Sequence, residues 1–183
     1  MGRINSFTFC TLNGFYKDHT NDIGWHVHGE EETRYSEDSL SHGNVLLFGR
    51  MTYEMMYSFW PTPMAQETMP AVARGMNDAE KLVVSRSLSS AEWSNTRVLS
   101  KNWLQEIRVI KKSKNITLLG SGTILTQLAD ADLIDEYSIM IDPVVIGSGT
   151  SIFDKIKKTL NLTLMDSKIF KSGSLLLTYE PKR

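Results

Sequence analysis

Short apolar runs alternate with amphipathic stretches along most of this chain. The apolar runs predict buried strands at residues 4–12, 45–48, 82–85, 116–119 and 134–141. Residues 30–40 predict a short acidic helix, and residues 51–60 predict a helix that prolines end. Apolar residues at helical spacing predict a helix at residues 101–111, and a further helix is predicted at 123–131. Two final runs, residues 160–170 and 175–179, flank a Lys-Ser-Gly-Ser turn and predict an antiparallel β-hairpin. This order predicts an α/β fold whose sheet ends in antiparallel edge strands.

Three of the apolar runs end in glycine, serine or arginine just where a helix should begin. These junctions are Gly49-Arg50-Met51-Thr52, Ser85-Arg86-Ser87 and Gly120-Ser121-Gly122-Thr123. The carboxyl ends of parallel strands line up along one crevice, where open α/β sheets bind their ligands. Helix N-termini there expose backbone N–H groups and a partial positive charge, and two junctions add an arginine. We therefore predict that the three junctions form a dinucleotide cradle.

Composition narrows the class of protein further. The 183 residues are enough for one domain with a sizeable core. Twenty basic and 21 acidic residues leave a net charge of −1, which gives no reason to expect nucleic acid or an anionic membrane as partner. The single cysteine, Cys10, excludes an intramolecular disulfide and fits a reducing compartment, so we expect a cytoplasmic protein. Neither a signal peptide nor a membrane-spanning run is predicted.

Several segments, in a fixed order, carry a resemblance to a known family. They are TLNGFY at 11–16, VLLFGRMTYEMM at 45–56, KLVVSR at 81–86, ITLLGSGT at 116–123 and ADLIDEYSIMIDPVVIGSGTSIF at 131–153. With the final hairpin they resemble the dihydrofolate reductase-like superfamily. The nearer branch is small stand-alone proteins similar to the reductase (C-terminal) domain of the bacterial bifunctional riboflavin-biosynthesis deaminase-reductase.

The resemblance runs from about residue 4 to about residue 179, which makes residues 1–183 one domain of this type. It implies a three-layer sandwich, in which helices flank both faces of a mainly parallel central sheet. It also implies NADPH as hydride donor and a flat nitrogen heterocycle as substrate.

The resemblance further implies cofactor contacts at all three junctions. The matching residues are Gly49, Arg50, Thr52, Ser85, Arg86, Gly120, Ser121, Gly122 and Thr123. Gly49 lets the backbone approach a phosphate, and Thr52 can offer its hydroxyl and N–H to the pyrophosphate. Arg50 and Arg86 match the family's contacts to the adenosine 2′-phosphate, which favours NADPH over NADH. Solvated surface arginines, and an ordinary N-cap and turn at Ser121, are the alternatives.

The substrate side of the cleft is expected on the opposite wall. Polar residues 13–24 predict a surface loop, and the segment from 13 to 28 matches the family's mobile loop over the nicotinamide. Trp25 lies where dihydrofolate reductases have a tryptophan near the pterin, so we take it as substrate-binding. Six of the nine methionines lie between residues 51 and 76, and some of them, with Phe59 and Trp60, are expected to line the pocket.

Three consecutive glutamates start the helix that follows this loop. Dihydrofolate reductases place a substrate-binding carboxylate there, which binds the aminopyrimidine edge and assists protonation. Glu30 and Glu31 are accordingly our catalytic candidates, although which of Glu30, Glu31 and Glu32 faces inward stays open. The alternative is an acidic first turn that complements the helix dipole.

A histidine pair precedes the glutamates. His26 and His28 have the spacing of two ligands on one face of a strand, with Glu30 in phase. No third strong ligand cluster appears in the sequence. We therefore expect no metal, and favour loop histidines near a pocket.

The leading hypothesis is an NADPH-dependent reductase that transfers hydride to an aminopyrimidine or pterin-like substrate. The reference reaction is the 5-amino-6-(5-phosphoribosylamino)uracil reductase step of riboflavin biosynthesis. The chain has no zinc-deaminase signature, so in that pathway it could perform only the reduction. Dihydrofolate reductase and a non-catalytic nucleotide-binding protein of the same fold are the alternatives, and a metal-dependent hydrolase is a distant third.

A homodimer is also expected. Residues 139–146 and 175–177 are more apolar than a sheet edge should be if it is left open to water. A second copy would cover this edge, although a helix of the same chain could do so instead.

Overall fold

The structure is a computed structural model that describes residues 1–26 and 28–182, so Val27 of the predicted substrate loop and Arg183 lie outside the described residues. The strands are β1 Ile4–Thr11, β2 Phe15–Asp18, β3 Val45–Gly49, β4 Lys81–Val84, β5 Thr96–Leu99, β6 Ile116–Leu119, β7 Glu136–Asp142, β8 Gly149–Ser151, β9 Leu162–Ile169 and β10 Leu175–Pro181. The helices are α1 Glu30–Ser41, α2 Arg50–Phe59, α3 Pro63–Thr68, α4 Pro70–Asp78, α5 Trp103–Ile110 and α6 Gly122–Asp130. Every strand and helix named from the apolar pattern is therefore present. None of these helices is long and apolar enough to cross a bilayer.

Eight strands form one twisted sheet in the order β5-β4-β3-β6-β1-β7-β10-β9. The pairs from β5 to β7 are parallel, whereas β10 is antiparallel to both β7 and β9. This confirms the predicted α/β class with its C-terminal hairpin. Because β6 returns between β3 and β1, the carboxyl ends of these three strands lie side by side. That is the edge at which a ligand crevice is expected.

Helices cover both faces of the sheet, as the alternation of side chains along β3 shows. Leu46 and Phe48 belong to the core packed against α2 and α4, whereas Val45 and Leu47 belong to the core beneath α5 and α6. Successive side chains of a strand point to opposite faces, so a fully apolar strand needs a cover on each side. The result is the three-layer sandwich that the resemblance implied.

A buried lysine ties α4 to the sheet. The side chain of Lys81 is fully buried at the start of β4, and its Nζ donates hydrogen bonds to the carbonyls of Met76, Asn77 and Ala79 at 2.7–2.9 Å. The ammonium also lies 4.7 Å from the centre of the Trp93 ring. Burial lowers the pKa of Lys81 to about 8. These contacts satisfy the free carbonyls at the end of α4 and fix the helix that forms one wall of the cleft.

A short two-stranded sheet occupies the segment for which a surface loop is predicted. Strand β2 pairs antiparallel with β8, more than a hundred residues away along the chain. The four residues of β2 show no apolar alternation, and each is only half-buried. Pairing between segments so distant in sequence leaves no local signal, so the apolar pattern could not reveal it.

The apolar strands near the C-terminus are interior strands of the sheet. Strand β7 lies between β1 and β10, and β10 lies between β7 and β9. The edge on which the homodimer prediction rested is therefore covered within the chain, by a strand rather than by the helix considered as the alternative. The edge strand on this side of the sheet is β9, where nearly every residue is exposed.

Candidate functional site

The first and third junctions meet at the carboxyl ends of β3 and β6. A Cβ added to Gly49 would overlap the Oγ of Ser121 and lie 3.3 Å from Cγ1 of Ile124. A Cβ added to Gly120 would stand 3.5 Å from Cγ2 of Thr52, so the first turn of α2 packs against the third junction. Thr52, Gly120 and Ser121, which line the cleft, therefore pack together around the buried Gly49 and form its floor.

The third junction has an unusual backbone conformation. Gly120 has φ of 57° and Ser121 has φ of 58° and ψ of 69°, so two consecutive residues are left-handed. Serine rarely adopts this conformation, and such residues concentrate at binding sites. The Ser121 side chain makes no capping hydrogen bond, which argues against the simple side-chain N-cap considered above. These two left-handed residues connect the end of β6 to the start of α6, beside the crevice.

Tyr16 of β2 covers the start of α6. A Cβ added to Gly122 would lie 2.7 Å from Cε1 of the Tyr16 ring, so glycine is required for this approach. The Tyr16 hydroxyl is hydrogen-bonded to the backbone of Gly122, and burial raises the pKa of the phenol. Thr123, in the next position, is exposed. Tyr16 was missed as a site residue, although it is the last residue of the TLNGFY segment.

The first two junctions lie side by side because β3 and β4 pair in parallel, with Gly49 opposite Val84. Arg50 therefore follows β3 next to the point where Ser85 follows β4. Arg50 is partly exposed, and its Nη1 lies 2.9 Å from Oε1 of Glu54 one turn along α2. A paired but solvent-exposed guanidinium can exchange its partner for a phosphate at little cost.

The second junction is a tight turn built by its serine. Ser85 is buried, and its Oγ accepts hydrogen bonds from the backbone amides of Ser87 at 3.2 Å and Leu88 at 2.9 Å. Its hydroxyl is thus used within the turn. Arg86 is exposed at the tip. The structure brings Arg86 and Arg50 to the same edge of the sheet, with Ser85 as the residue that shapes the turn.

One cleft of about 470 Å³ runs from this floor into the molecule. Thr52, Gly120, Ser121 and Tyr16 are among its lining residues. A second, apolar group of lining residues, which we call the methionine chamber, consists of Met51, Met55, Met56, Phe59, Met69 and Met76. An apolar, adaptable chamber next to a few polar groups suits a flat ring. Trp60 also lines the cleft, beside Phe59.

Trp25 and the first glutamates lie elsewhere. Trp25 lines a separate shallow hollow beside residues 146–148, and does not line the main cleft. Glu30 is 88% exposed and lies 3.4 Å from Arg34. Glu31 accepts a hydrogen bond from the backbone amide of Lys171 at 3.0 Å, which lowers the pKa of its carboxyl. Among the described lining residues of the cleft, neither Glu30 nor Glu31 appears.

Glu32 is the buried glutamate of the three. It is buried, and the Ser172 hydroxyl donates a hydrogen bond to it from the turn between β9 and β10. The first turn of α1 therefore docks against this hairpin turn, because Glu31 and Glu32 both find their partners there. The direction of each glutamate depends on that docking, which the acidic run alone could not reveal.

Both histidines of the pair line the cleft. Nδ1 of His26 lies 2.9 and 3.0 Å from the two carboxylate oxygens of Asp142, at the end of β7. The His26 ring stacks on Phe9 at 3.7 Å, and the His28 ring meets it edge-on at 4.3 Å. His28 is more exposed than His26. Partial desolvation against the cleft wall, and the neighbouring His26, lower the pKa of His28 to about 4, so His28 is neutral at pH 7. Asp142 was missed, although it stands in the quoted IDPVVIG run.

Comparison of this chain with known proteins identifies its family, and comparison with solved structures identifies its fold. A family model described as the RibD C-terminal domain matches residues 3–176. The uncharacterized protein YyaP of Bacillus subtilis (strain 168) is 25% identical over 171 residues, which cover 92% of this chain and 89% of YyaP.

Two solved structures show the same fold at low identity. The deaminase/5-amino-6-(5-phosphoribosylamino)uracil reductase of Thermotoga maritima matches with a TM-score of 0.71 and 13% identity, over 99% of this chain and 57% of that one. Dihydrofolate reductase from Enterococcus faecalis, complexed with NADP(H), matches with a TM-score of 0.66 and 16% identity, over 100% and 98%. At such identities the likeness concerns the fold alone.

Gly49→Ala tests the contact that forms the floor. We expect it to lower the free energy of unfolding by about 1–3 kcal/mol, because the new Cβ overlaps the Ser121 hydroxyl. Adding Ser121→Gly should recover part of this loss, because it removes that hydroxyl and relieves the left-handed serine. Gly147→Ala is the control, since its Cβ would meet nothing within 4 Å.

Urea denaturation measures these variants together with the Ser121→Gly single variant. If Gly49→Ala costs the same stability with and without Ser121→Gly, the contact between the two junctions is contradicted.

Proposed function

Because the chain belongs to the RibD C-terminal domain family, we propose that it is an NADPH-dependent reductase acting on an aminopyrimidine or pterin-like ring. The observation that carries the proposal is the continuity of the cleft. A floor of glycine, serine and threonine at the ends of β3 and β6 opens directly into the methionine chamber. A hydride donor and a flat acceptor bound at the two ends would meet inside one apolar space.

The cofactor end has the donors that a dinucleotide phosphate needs. The pyrophosphate would lie beside Thr52, Gly120 and Ser121, which line the cleft. To reach the first N–H groups of α6 it would have to displace the Tyr16 hydroxyl from the Gly122 backbone. The 2′-phosphate would lie between Arg50 and Arg86, beyond the turn that Ser85 builds. NADPH, when bound, supplies the hydride. The role of this chain is to hold the nicotinamide against the acceptor ring.

The substrate end favours a planar heterocycle. Phe59 and the methionines offer polarisable apolar contacts to both faces of a ring, and the histidine pair on the neighbouring wall offers polar contacts to its edge. The reference substrate is the one named for the Thermotoga maritima relative, 5-amino-6-(5-phosphoribosylamino)uracil. In that reaction the substrate would receive a hydride from NADPH and a proton from a donor group.

Oxidation of NADPH with a panel of substrates tests this function. The panel holds the phosphoribosylaminouracil, its dephosphorylated form, dihydrofolate and 6,7-dimethyldihydropterin, and the readout is loss of nicotinamide absorbance. We expect turnover with at least one aminopyrimidine or pterin. Turnover with dihydrofolate alone would identify a dihydrofolate reductase. Tight NADPH binding with no turnover of any member would identify a non-catalytic binder and contradict the proposal.

The two arginines should make the protein selective for NADPH. Fluorescence titration is expected to give a Kd for NADPH about tenfold or more below that for NADH, because charge-assisted hydrogen bonds to the 2′-phosphate contribute about 1.5–3 kcal/mol each. Arg50→Ala should remove much of this difference while leaving NADH binding nearly unchanged. Arg34→Ala is the matched control, because Arg34 pairs with Glu30 in the same i,i+4 arrangement. Equal weakening of both cofactors by Arg50→Ala would show that Arg50 only supports α2.

The proposed assembly is a homodimer through strand β9. As the edge of the eight-stranded sheet, β9 leaves Leu164, Met165 and Ile169 exposed by 52%, 55% and 77%. An apolar edge strand in water favours pairing with a second copy. Light scattering at micromolar concentration should give twice the chain mass of 20.7 kDa, and Met165→Lys should shift it to the single-chain value. A single-chain mass for the wild-type protein would contradict the dimer.

A further inference from the structure

A buried polar network stands behind one wall of the cleft. Asp142 and Ser174 are almost fully buried, and the Ser174 hydroxyl donates to the same Asp142 carboxylate that His26 contacts, at 3.2 Å. The His26 side chain is only 1% exposed, although the residue lines the cleft. Burying three polar side chains beside apolar surface is costly unless all their polar atoms are paired.

One atom of this network has no partner. Nε2 of His26 is buried and makes no hydrogen bond within the described part of the chain. Leaving a buried polar atom unpaired costs about 1–3 kcal/mol, so such atoms call for an explanation in function or bound ligand. Nδ1 is already held by Asp142, which leaves Nε2 as the free nitrogen of a ring whose orientation is set by Asp142, Phe9 and His28.

Asp142 also decides the protonation pattern of the ring. A carboxylate that accepts from Nδ1–H holds neutral imidazole in the tautomer whose Nε2 is an acceptor, and it stabilises the imidazolium whose Nε2 is a donor. The titratable groups around this pair are His28, which interacts electrostatically with His26, Asp142 and Glu32, and Cys10, which interacts with Asp142. Burial raises the pKa of Cys10 to about 11, and His28 is neutral at pH 7. Asp142 is the carboxylate that hydrogen-bonds the His26 ring.

We propose that His26 binds the polar edge of the substrate ring through Nε2 and protonates it, with Asp142 as its positioning residue. The inference rests on the proposed reductase function. It also answers what serves as proton donor when Glu30 and Glu31 do not line the cleft. His26 lines the same cleft as the floor residues and the methionine chamber. Because Nε2 is buried in the free protein, substrate binding would have to uncover it.

The step balances as a two-electron reduction of a C=N bond. Hydride from the reduced nicotinamide forms the new C–H bond, and the cofactor leaves oxidised. The π pair of C=N moves to nitrogen and takes the proton from Nε2 of the imidazolium, forming the N–H bond. The imidazole left behind is neutral, and takes a proton from water once the product has gone.

Single-turnover hydride transfer tests the role in catalysis. We expect His26→Gln to slow NADPH oxidation roughly 100-fold or more, in line with general acid catalysis. The wild-type rate should fall as pH rises and the imidazolium loses its proton, and this dependence should vanish in His26→Gln. Asp142→Asn should slow the rate about tenfold or more, because it no longer stabilises the imidazolium. His42→Gln is the control, since His42 is exposed at the end of α1.

A second readout depends neither on activity nor on the folding of a variant. Wild-type protein with ¹⁵N-labelled histidine should show His26 protonated at Nδ1 at neutral pH, and 6,7-dimethylpterin should shift the Nε2 resonance of His26. Absence of that shift at saturating pterin, or failure of pterin to bind, would overturn the inference. So would an unchanged rate and pH profile in His26→Gln. If wild-type protein oxidises no NADPH with any substrate, the proposed function fails, and the pterin titration still decides whether His26 is a ligand-binding residue.

Discussion

The close approach of β3 and β6 at their carboxyl ends is the constraint on which the site depends. The two strands are neighbours in the sheet, and the chain leaves each of them through a turn into a helix. There is room for only one side chain between these turns, and Ser121 takes it because Gly49 has none. The left-handed serine costs about 1–3 kcal/mol, which the buried strand pairing and the core under α6 must offset. The small residues Gly120 and Ser121 at the floor let a ligand approach the backbone closely, which suits a phosphate group.

The opposite wall depends on a different constraint. It contains carboxylates, and a carboxylate can be buried only if it is hydrogen-bonded or paired. The hairpin turn between β9 and β10 supplies those partners: Ser172 to Glu32, Ser174 to Asp142, and the amide of Lys171 to Glu31. The C-terminal hairpin therefore does more than extend the sheet. It fixes the direction of α1 and the position of the carboxylate that holds His26. A buried carboxylate without such partners would be strongly destabilising.

Much of the architecture could be predicted from the sequence because the signals are local. Fully apolar runs such as 45–48 need cover on both faces, and the glycine and serine after them mark where parallel strands end. What could not be predicted depends on contacts between distant segments. Strand β2 forms only because β8 pairs with it, and Asp142 matters only because a loop more than a hundred residues earlier brings His26 to it. Likewise, the acidic run at 30–32 does not say which glutamate will meet the hairpin turn.

One fold can host different chemistry at the same place because the floor and the wall of its cleft are built by different parts of the chain. The sheet and the first and third junctions leave a cleft whose floor is set by backbone geometry, whereas its wall is set by which side chains the loop and the hairpin present. Here the first carboxylates of α1 are turned toward solvent and the hairpin, and the wall contains a histidine hydrogen-bonded to an aspartate of β7. Function in such a fold resides in the wall residues, so proteins that share this sheet need not share its wall or its chemistry.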